Sequence, residues 1–234
     1  ALRTLMCASL TFGTAGLRGP MIAGYGGMNE LTVVQATQGL ALYLEQAFGK
    51  DKAAAAGVCI GWDHRAAGSL NSERFALLAA EVFAQRKFRV VLLPGLVPTP
   101  FVSFCVSRHN CAAGIMVTAS HNPKADNGYK VYWENGAQIV PPHDTGIATC
   151  IGEAMAPWAE YGKLGGVTEL LAAYSLCTHD GMTARTEEIA TEYYAKVRER
   201  LCRHADANRG VSPVVYTAMH GVGGPWLLRA FEAF

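Results

Sequence analysis

No C-x-x-C pair occurs in this chain of 234 residues, although it holds 7 cysteines. They stand singly from Cys7 to Cys202, mostly among apolar neighbours, which fits free thiols in a reducing compartment better than a disulfide or zinc framework. Long apolar runs are missing too. None approaches the roughly 20 residues that span a bilayer, and the N-terminus lacks the basic-then-apolar pattern of a secretory signal. A cytoplasmic location is therefore the expectation, with no membrane partner. Charge of one sign is not in excess either: 20 Lys and Arg against 19 Asp and Glu leave a net charge of +1. Without a basic block or an acidic tail, nucleic acid has no electrostatic footprint to bind. A Walker loop is absent, since its spaced glycines and Lys-Ser/Thr pair do not occur. No internal repeat is found. What remains is ordinary globular composition, 50% hydrophobic, enough for a sizeable core.

Within that composition one stretch stands out, residues 114–130, GIMVTASHNPKADNGYK. Gly114 to Val117 is a short apolar run ending in a Thr/Ser/Asn/Pro cluster, the pattern of a buried strand that empties into a loop. Ser120 sits where the strand lets go. In open α/β folds the carboxyl ends of strands collect chemistry, because backbone groups there are unpaired and several loops converge. A hydroxyl at that place, followed by His121 and Asn122, is a candidate nucleophile. The sharp elbow of serine hydrolases is not formed, because Thr118 and Asn122 stand where that turn needs small residues. Asn122-Pro123 predicts one turn and Asn127-Gly128 a second, after which Lys130 begins the next extended run, with its ammonium folded back toward the hydroxyl.

Taken in order, residues 1–28 are glycine-rich and predict a loop that carries Arg18. Asn29 predicts a helix cap, with Val33, Ala36, Leu40, Leu44 and Ala47 as its core stripe and Gly49 as its end. A strand follows at Val58–Trp62, with Asp63 and Arg65 at its end. The next helix spans Asn71 to Gln85, with Phe75, Leu78, Ala79, Val82 and Phe83 facing inward, and Arg89 to Leu93 is a strand. Thr99 is the expected cap of a short helix from Pro100 to His109. Beyond Lys130, Val131–Trp133 and Ala137–Val140 read as an edge hairpin around Glu134–Gly136, and Asp144 caps a helix to about Met155. Pro157 to Arg185 shows no sustained period. Thr186 opens another helix with Ile189, Tyr193, Val197 and Leu201 on one face, Val214 to Ala218 is a strand, and Pro225 starts a last helix. This rhythm predicts an α/β fold with a mixed, largely parallel sheet flanked by helices, followed by the start of a second α/β domain. The boundaries are residues 1–157 for the first domain, 158–185 for a linker and 186–234 for the beginning of the second. The pattern stops unfinished at Phe234, so a piece of a longer protein is expected, with apolar residues such as Trp226 and Leu228 left without partners.

The string TASHNP at Thr118–Pro123, followed by NGYK at Asn127–Lys130, resembles the active-serine signature of the alpha-D-phosphohexomutase superfamily. Residues 126–139 and FGTAGLR at Phe12–Arg18 are similar to its phosphoglucomutase-2 type, which includes phosphopentomutases and glucose 1,6-bisphosphate synthases. His220-Gly221 resembles the opening strand of that family's second domain. The resemblance implies that Ser120 carries a phosphoryl group in transit between positions of a hexose or pentose phosphate, by way of a sugar bisphosphate such as glucose 1,6-bisphosphate. It further implies Lys130 as general base, His121 in orientation or proton transfer, and Arg18, Thr14, Arg65, Asn122 and Ser120 in substrate binding. His64 is read as a bystander. Mg2+ is the implied cofactor, held by a phosphoryl oxygen on Ser120 and by a D-G-D-x-D-R motif that this chain does not contain. The partner implied is a small phosphosugar, and the full-length protein is expected to be a monomer. Two alternatives stand beside the mutase: a glucose 1,6-bisphosphate synthase, and a non-catalytic domain that binds phosphosugars or another protein.

Overall fold

The computed structural model describes residues 2–174, 182–204, 207 and 213–234. Along the chain run α1 (Leu2–Cys7), β1 (Leu17–Pro20), α2 (Glu30–Phe48), α3 (Lys50–Ala56), β2 (Val58–Trp62), and the two short strands β3 (Ala66–Ala67) and β4 (Leu70–Asn71). They are followed by α4 (Ser72–Gln85), β5 (Val90–Leu96), α5 (Thr99–His109), β6 (Ala113–Val117) and β7 (Asp126–Trp133). The remaining helices are α6 (His143–Glu153), α7 (Val167–Tyr174), α8 (Met182–Leu201) and α9 (Gly223–Ala233).

The two long helices of the first half begin where a short amide side chain serves N–H groups that the helix itself leaves free. Asn29 closes a reciprocal box on α2: its Oδ1 accepts from the Thr32 N–H at 3.2 Å, and its own N–H donates to Thr32 Oγ1 at 3.0 Å. Asn71 accepts the Arg74 N–H at 2.8 Å and so starts α4. Gly49 ends α2 with φ 84°. The inward stripes are buried as predicted, Val33, Ala36, Leu40 and Leu44 on α2, and Phe75, Leu78, Ala79, Val82 and Phe83 on α4. Ala47 is exposed, because the buried face of α2 ends one turn before the helix does.

The main sheet has the order β1-β7-β6-β2-β5, in which β5, β2 and β6 pair in parallel and β7 runs antiparallel to both of its neighbours, β6 and β1. Every residue of β2 and β6 is buried, which explains their uninterrupted apolar runs. One face packs Ile60, Ile115, Val117 and Val131 against α2 and α4; the other packs Cys59, Leu93 and Met116 against α5 and α8. Truncating a fully buried isoleucine such as Ile60 or Ile115 costs about 2–5 kcal/mol.

Several elements differ from the sequence reading, each for a tertiary reason. The glycine-rich opening is not all loop: β1 pairs with β7, Leu17 opposite Tyr129 and Arg18 opposite Gly128, and so forms the sheet edge. Partnering decides here, not intrinsic propensity. β1 pairs only with residues 126–129 of β7, so Val131–Trp133 lie at the sheet edge as expected, but no full strand returns beside them. The turn at Glu134–Gly136 forms, but the return makes a single bridge, Tyr132 with Gln138, flanked by the bonds from the Ile139 N–H to the Val131 carbonyl at 3.1 Å and from the Trp133 N–H to the Ala137 carbonyl at 2.9 Å. Thr99 is the first residue of α5 and not its cap; extended Pro98 holds the cap position and no side chain serves it. Likewise α6 starts at His143, and Asp144 binds the Thr145 N–H within the first turn. The segment after Pro157 carries α7, whose Leu170 is buried against the main core, while residues 175–181 lie outside the described residues. Helix α8 starts before Thr186, whose hydroxyl instead donates to the Pro94 carbonyl at 2.9 Å. Leu201, on its predicted stripe, is exposed. Val214 to Ala218 forms no strand, and Val215 is 99% exposed, since no described strand lies beside it to supply hydrogen bonds. Trp226 is not unpartnered: its indole N–H donates to the Leu96 carbonyl at 2.8 Å and its ring packs edge-on to Phe101. Leu228 is exposed as predicted. No helix among the described residues is long and apolar enough to cross a membrane.

Candidate active site

At the end of β6 the chain turns within four residues, closed by the Asn122 N–H on the Ala119 carbonyl at 3.0 Å, and turns again from Pro123 to Asp126. Ser120 takes φ 52° in the first of these turns. A non-glycine residue held there costs roughly 1–3 kcal/mol and needs its surroundings to enforce it. The enforcement is visible. The Ser120 N–H donates to Thr118 Oγ1 at 3.0 Å, and Arg65 grips the loop from the other side. Its guanidinium donates to the carbonyls of Ser120 at 2.6 Å, Asn122 at 2.9 Å, Pro123 at 2.8 Å and Asp126 at 3.0 Å. Ser120 itself is exposed, in a cleft of about 860 Å3 shared by the end of β2, residues 97–100, the serine loop and the turn at 218–222.

Lys130 Nζ lies 2.6 Å from Ser120 Oγ. The register explains how it gets there. Gly128 stands opposite Arg18, so Arg18 and Lys130, two residues further along β7, share one face as diagonal neighbours. Asn127 and Gly128 lie inside β7, not in the predicted turn, and Lys130 is mid-strand. Gly128 is required for close approach: a Cβ there would stand 2.5 Å from the Thr118 carbonyl oxygen. The Lys130 amine is held below its ordinary pKa, first by burial, then by the Arg18 cation and, less, by Arg65, with Asp63 acting the other way. Arg18 donates to Asn122 Oδ1 at 3.3 Å, and its Nε is buried without a hydrogen-bond partner among the described residues.

Ser120, Lys130, Arg18, Arg65 and Asn122 thus come together. His121 is exposed and lines the cleft, as does His64. Thr14 is exposed in the tight Gly13–Gly16 turn before β1; its carbonyl accepts from Gln138 at 2.7 Å, and it joins no hydrogen bond to the serine loop among the described residues. Asn122 is occupied within the protein, accepting from Arg18 and donating to Asp126 at 3.1 Å.

Four residues to which the sequence reading assigns no role in the site are central to it. Asp63, only 8% exposed, accepts from Ser72 Oγ and Thr118 Oγ1, both at 2.6 Å, and from the Arg65 N–H at 3.0 Å. Asn127 donates to Ser72 Oγ at 3.0 Å. The strand-end position that marked Ser120 also marks Asp63, but the Ser72 and Asn127 links have no local signature. Among the described residues no group of three His, Cys, Asp or Glu is placed to hold a metal. Asp63 is fully engaged, so the residues present do not make a Mg2+ site by themselves.

Residues 9–157 match the family model described as phosphoglucomutase/phosphomannomutase, alpha/beta/alpha domain I, and the chain belongs to that family. Over its whole length it is 44% identical to a mouse phosphopentomutase and 40% identical to a human glucose 1,6-bisphosphate synthase, covering 36% of each. The chain therefore spans little more than a third of the length of these relatives. A crystal structure from Thermus thermophilus, described as a phosphomannomutase, shares the fold with a TM-score of 0.70 at 24% identity, over 97% of this chain and 44% of that one.

Proposed function

We propose that this member of the phosphoglucomutase/phosphomannomutase family supplies the phosphoryl-carrying serine of a phosphosugar mutase. The observation that carries the reading is the 2.6 Å contact between Ser120 Oγ and Lys130 Nζ beside a cation whose buried N–H has no partner among the described residues. Ser120 Oγ attacks the phosphorus of a sugar bisphosphate as its proton passes to Lys130 Nζ. The bond from phosphorus to the sugar oxygen breaks, and the sugar leaves as a monophosphate that takes up a proton. The reverse step, onto the other hydroxyl, completes isomerisation. Such transfer depends on positioning and on cations around a charged group, with little covalent work for side chains. Arg18 suits a phosphate oxygen, because its free N–H is compensated only by an acceptor. Arg65 acts on the loop, its donors being spent on carbonyls. His121, on the exposed rim, orients substrate or passes a proton to solvent.

The substrate class is a hexose or pentose phosphate, glucose 1-phosphate and glucose 6-phosphate or ribose 1-phosphate and ribose 5-phosphate. The names of the relatives support both this and the second reading, a glucose 1,6-bisphosphate synthase, which uses the same serine chemistry with a different donor. Mg2+ would meet this chain at a phosphoryl oxygen on Ser120, its other ligands coming from residues outside the chain. In this reading residues 1–157 are the first domain, 158–185 the link and 186–234 the start of the next, within a monomeric cytoplasmic enzyme.

Incubation with glucose 1,6-bisphosphate followed by intact-mass analysis and peptide mapping tests the proposal. One phosphoryl group on Ser120, lost in Ser120→Ala, is the expected result. Phosphate found only elsewhere overturns it.

A further inference from the structure

We propose that Asp63 is the positioning residue of this site, a buried carboxylate that sets the direction of the hydroxyl hydrogen bonds holding the Ser120 N–H and Asn127 in the strand of Lys130. This rests on Ser120 as the phosphoryl acceptor. An ionised carboxylate only accepts, so each hydroxyl that meets it must point its single proton inward and turn its lone pairs outward. Thr118 gives its proton to Oδ2 at 2.6 Å, which leaves its oxygen to receive the Ser120 N–H at 3.0 Å and hold φ 52°. Ser72 gives its proton to Oδ1 at 2.6 Å, which leaves its oxygen to receive the Asn127 amide at 3.0 Å. Asn127 in turn accepts the Gly128 N–H at 2.8 Å and fixes β7 just ahead of Lys130. The third branch runs through Arg65, whose N–H donates to Oδ1 at 3.0 Å, with Nε 3.5 Å from Oδ2, while its fork takes the loop carbonyls.

All three branches end on the ribbon from Thr118 to Lys130. Asparagine at position 63 keeps the shape but offers one acceptor oxygen and an NH2 donor. One hydroxyl then has to turn its proton away from residue 63 and accept from that NH2, so either the Ser120 N–H or the Asn127 amide shares its acceptor with a second donor and loses the carboxylate that polarised it. This loosens the hold that places Ser120 Oγ against Lys130. Asp63 acts through these neighbours and touches no reacting atom.

Amide hydrogen exchange at Ser120 and the rate of phosphoryl uptake from glucose 1,6-bisphosphate test this in the wild-type chain, Asp63→Asn, Thr118→Val and Thr118→Ser, with thermal unfolding as control. The Ser120 amide should exchange about tenfold faster or more in Thr118→Val, which loses the acceptor of that hydrogen bond, and measurably faster than wild type in Asp63→Asn, where the bond is weakened, and uptake should fall at least as much. Thr118→Ser should restore both. Wild-type protection and wild-type uptake in the two defective variants overturn the proposal. Should Asp63→Asn fail to fold, the near-isosteric Thr118→Val decides alone: an unchanged Ser120 amide in that folded protein is sufficient refutation. If the wild type takes up no phosphate yet the exchange pattern holds, Asp63 still positions Ser120 and the proposed role of the serine is what falls.

Discussion

Replacing Lys130 by methionine should separate activity from stability. The substitution keeps the apolar stem and removes the amine that lies 2.6 Å from Ser120 Oγ. In the folded protein that amine has a pKa below the usual 10.5, because burial and then Arg18 disfavour its charged form, with Arg65 in the same sense and Asp63 against it. The unfolded chain therefore binds this proton more tightly than the folded one. By linkage the folding penalty is fully present below the folded pKa and is relieved as pH rises through the unfolded value. At neutral pH Lys130→Met removes that penalty and loses one hydrogen bond worth about 1 kcal/mol. The thermal midpoint should stay within a few degrees of wild type or rise. Phosphoryl uptake by Ser120, measured by quenched-flow mass analysis, should fall by about 100- to 10,000-fold, the usual contribution of a positioned general base. The pH dependence gives a second reading: the wild-type rate should climb with pH along a limb that levels off below the ordinary lysine value. In Arg18→Ala that limb should move to higher pH, because a cation that lowers the Lys130 pKa is gone. Uptake within a few-fold of wild type in Lys130→Met, or a limb that Arg18→Ala leaves in place, would refute the assignment of Lys130 as base.

Arg65→Ala should loosen residues 119–126, since four carbonyls lose a charged donor. A loss of about 2–4 kcal/mol in urea unfolding, less than four separate charged bonds would sum to, and faster proteolysis within the loop are expected. Arg65→Lys should recover little, because one ammonium cannot fork to several acceptors; full recovery would show that charge alone suffices. Ser120→Gly should be more stable than Ser120→Ala by about 1 kcal/mol in chemical denaturation, glycine being free of the left-handed penalty at φ 52°. Equal stability would mean that the loop relaxes out of that conformation.

The readable parts of this fold are those whose cause lies within a few residues. Asn29, Gly49 and Asn71 act on the helix beside them, and β2, with its buried apolar run, has the limits its sequence shows. The strand-to-loop change at Ser120 is equally local. The unread parts depend on partners far along the chain. Leu17–Pro20 is extended because residues 126–129 of β7 lie beside it. Conversely, Val214–Ala218 has the composition of a strand and no described strand to pair with. Gly128 illustrates how the same residue invites two explanations: Asn-Gly is a turn signal, yet here the missing side chain serves the contact with the Thr118 carbonyl.

The cations show the same limit in chemical terms. Arg18, Arg65 and Lys130 are alike in sequence as positive charges near a nucleophile, but backbone carbonyls carry no sequence signature, so nothing local says which cation they will claim. The structure divides the three by what each donor meets. Arg65 is consumed by the loop it holds, and Lys130 meets the hydroxyl. Arg18 alone among the three keeps a buried N–H without an acceptor among the described residues. In the proposed reading a phosphate meets Arg18 beside an amine whose charged form Arg18 itself disfavours. A phosphate bound there would screen that cation and favour the ammonium, so in this reading the charge that attracts the phosphate would also tune when Lys130 takes a proton from Ser120.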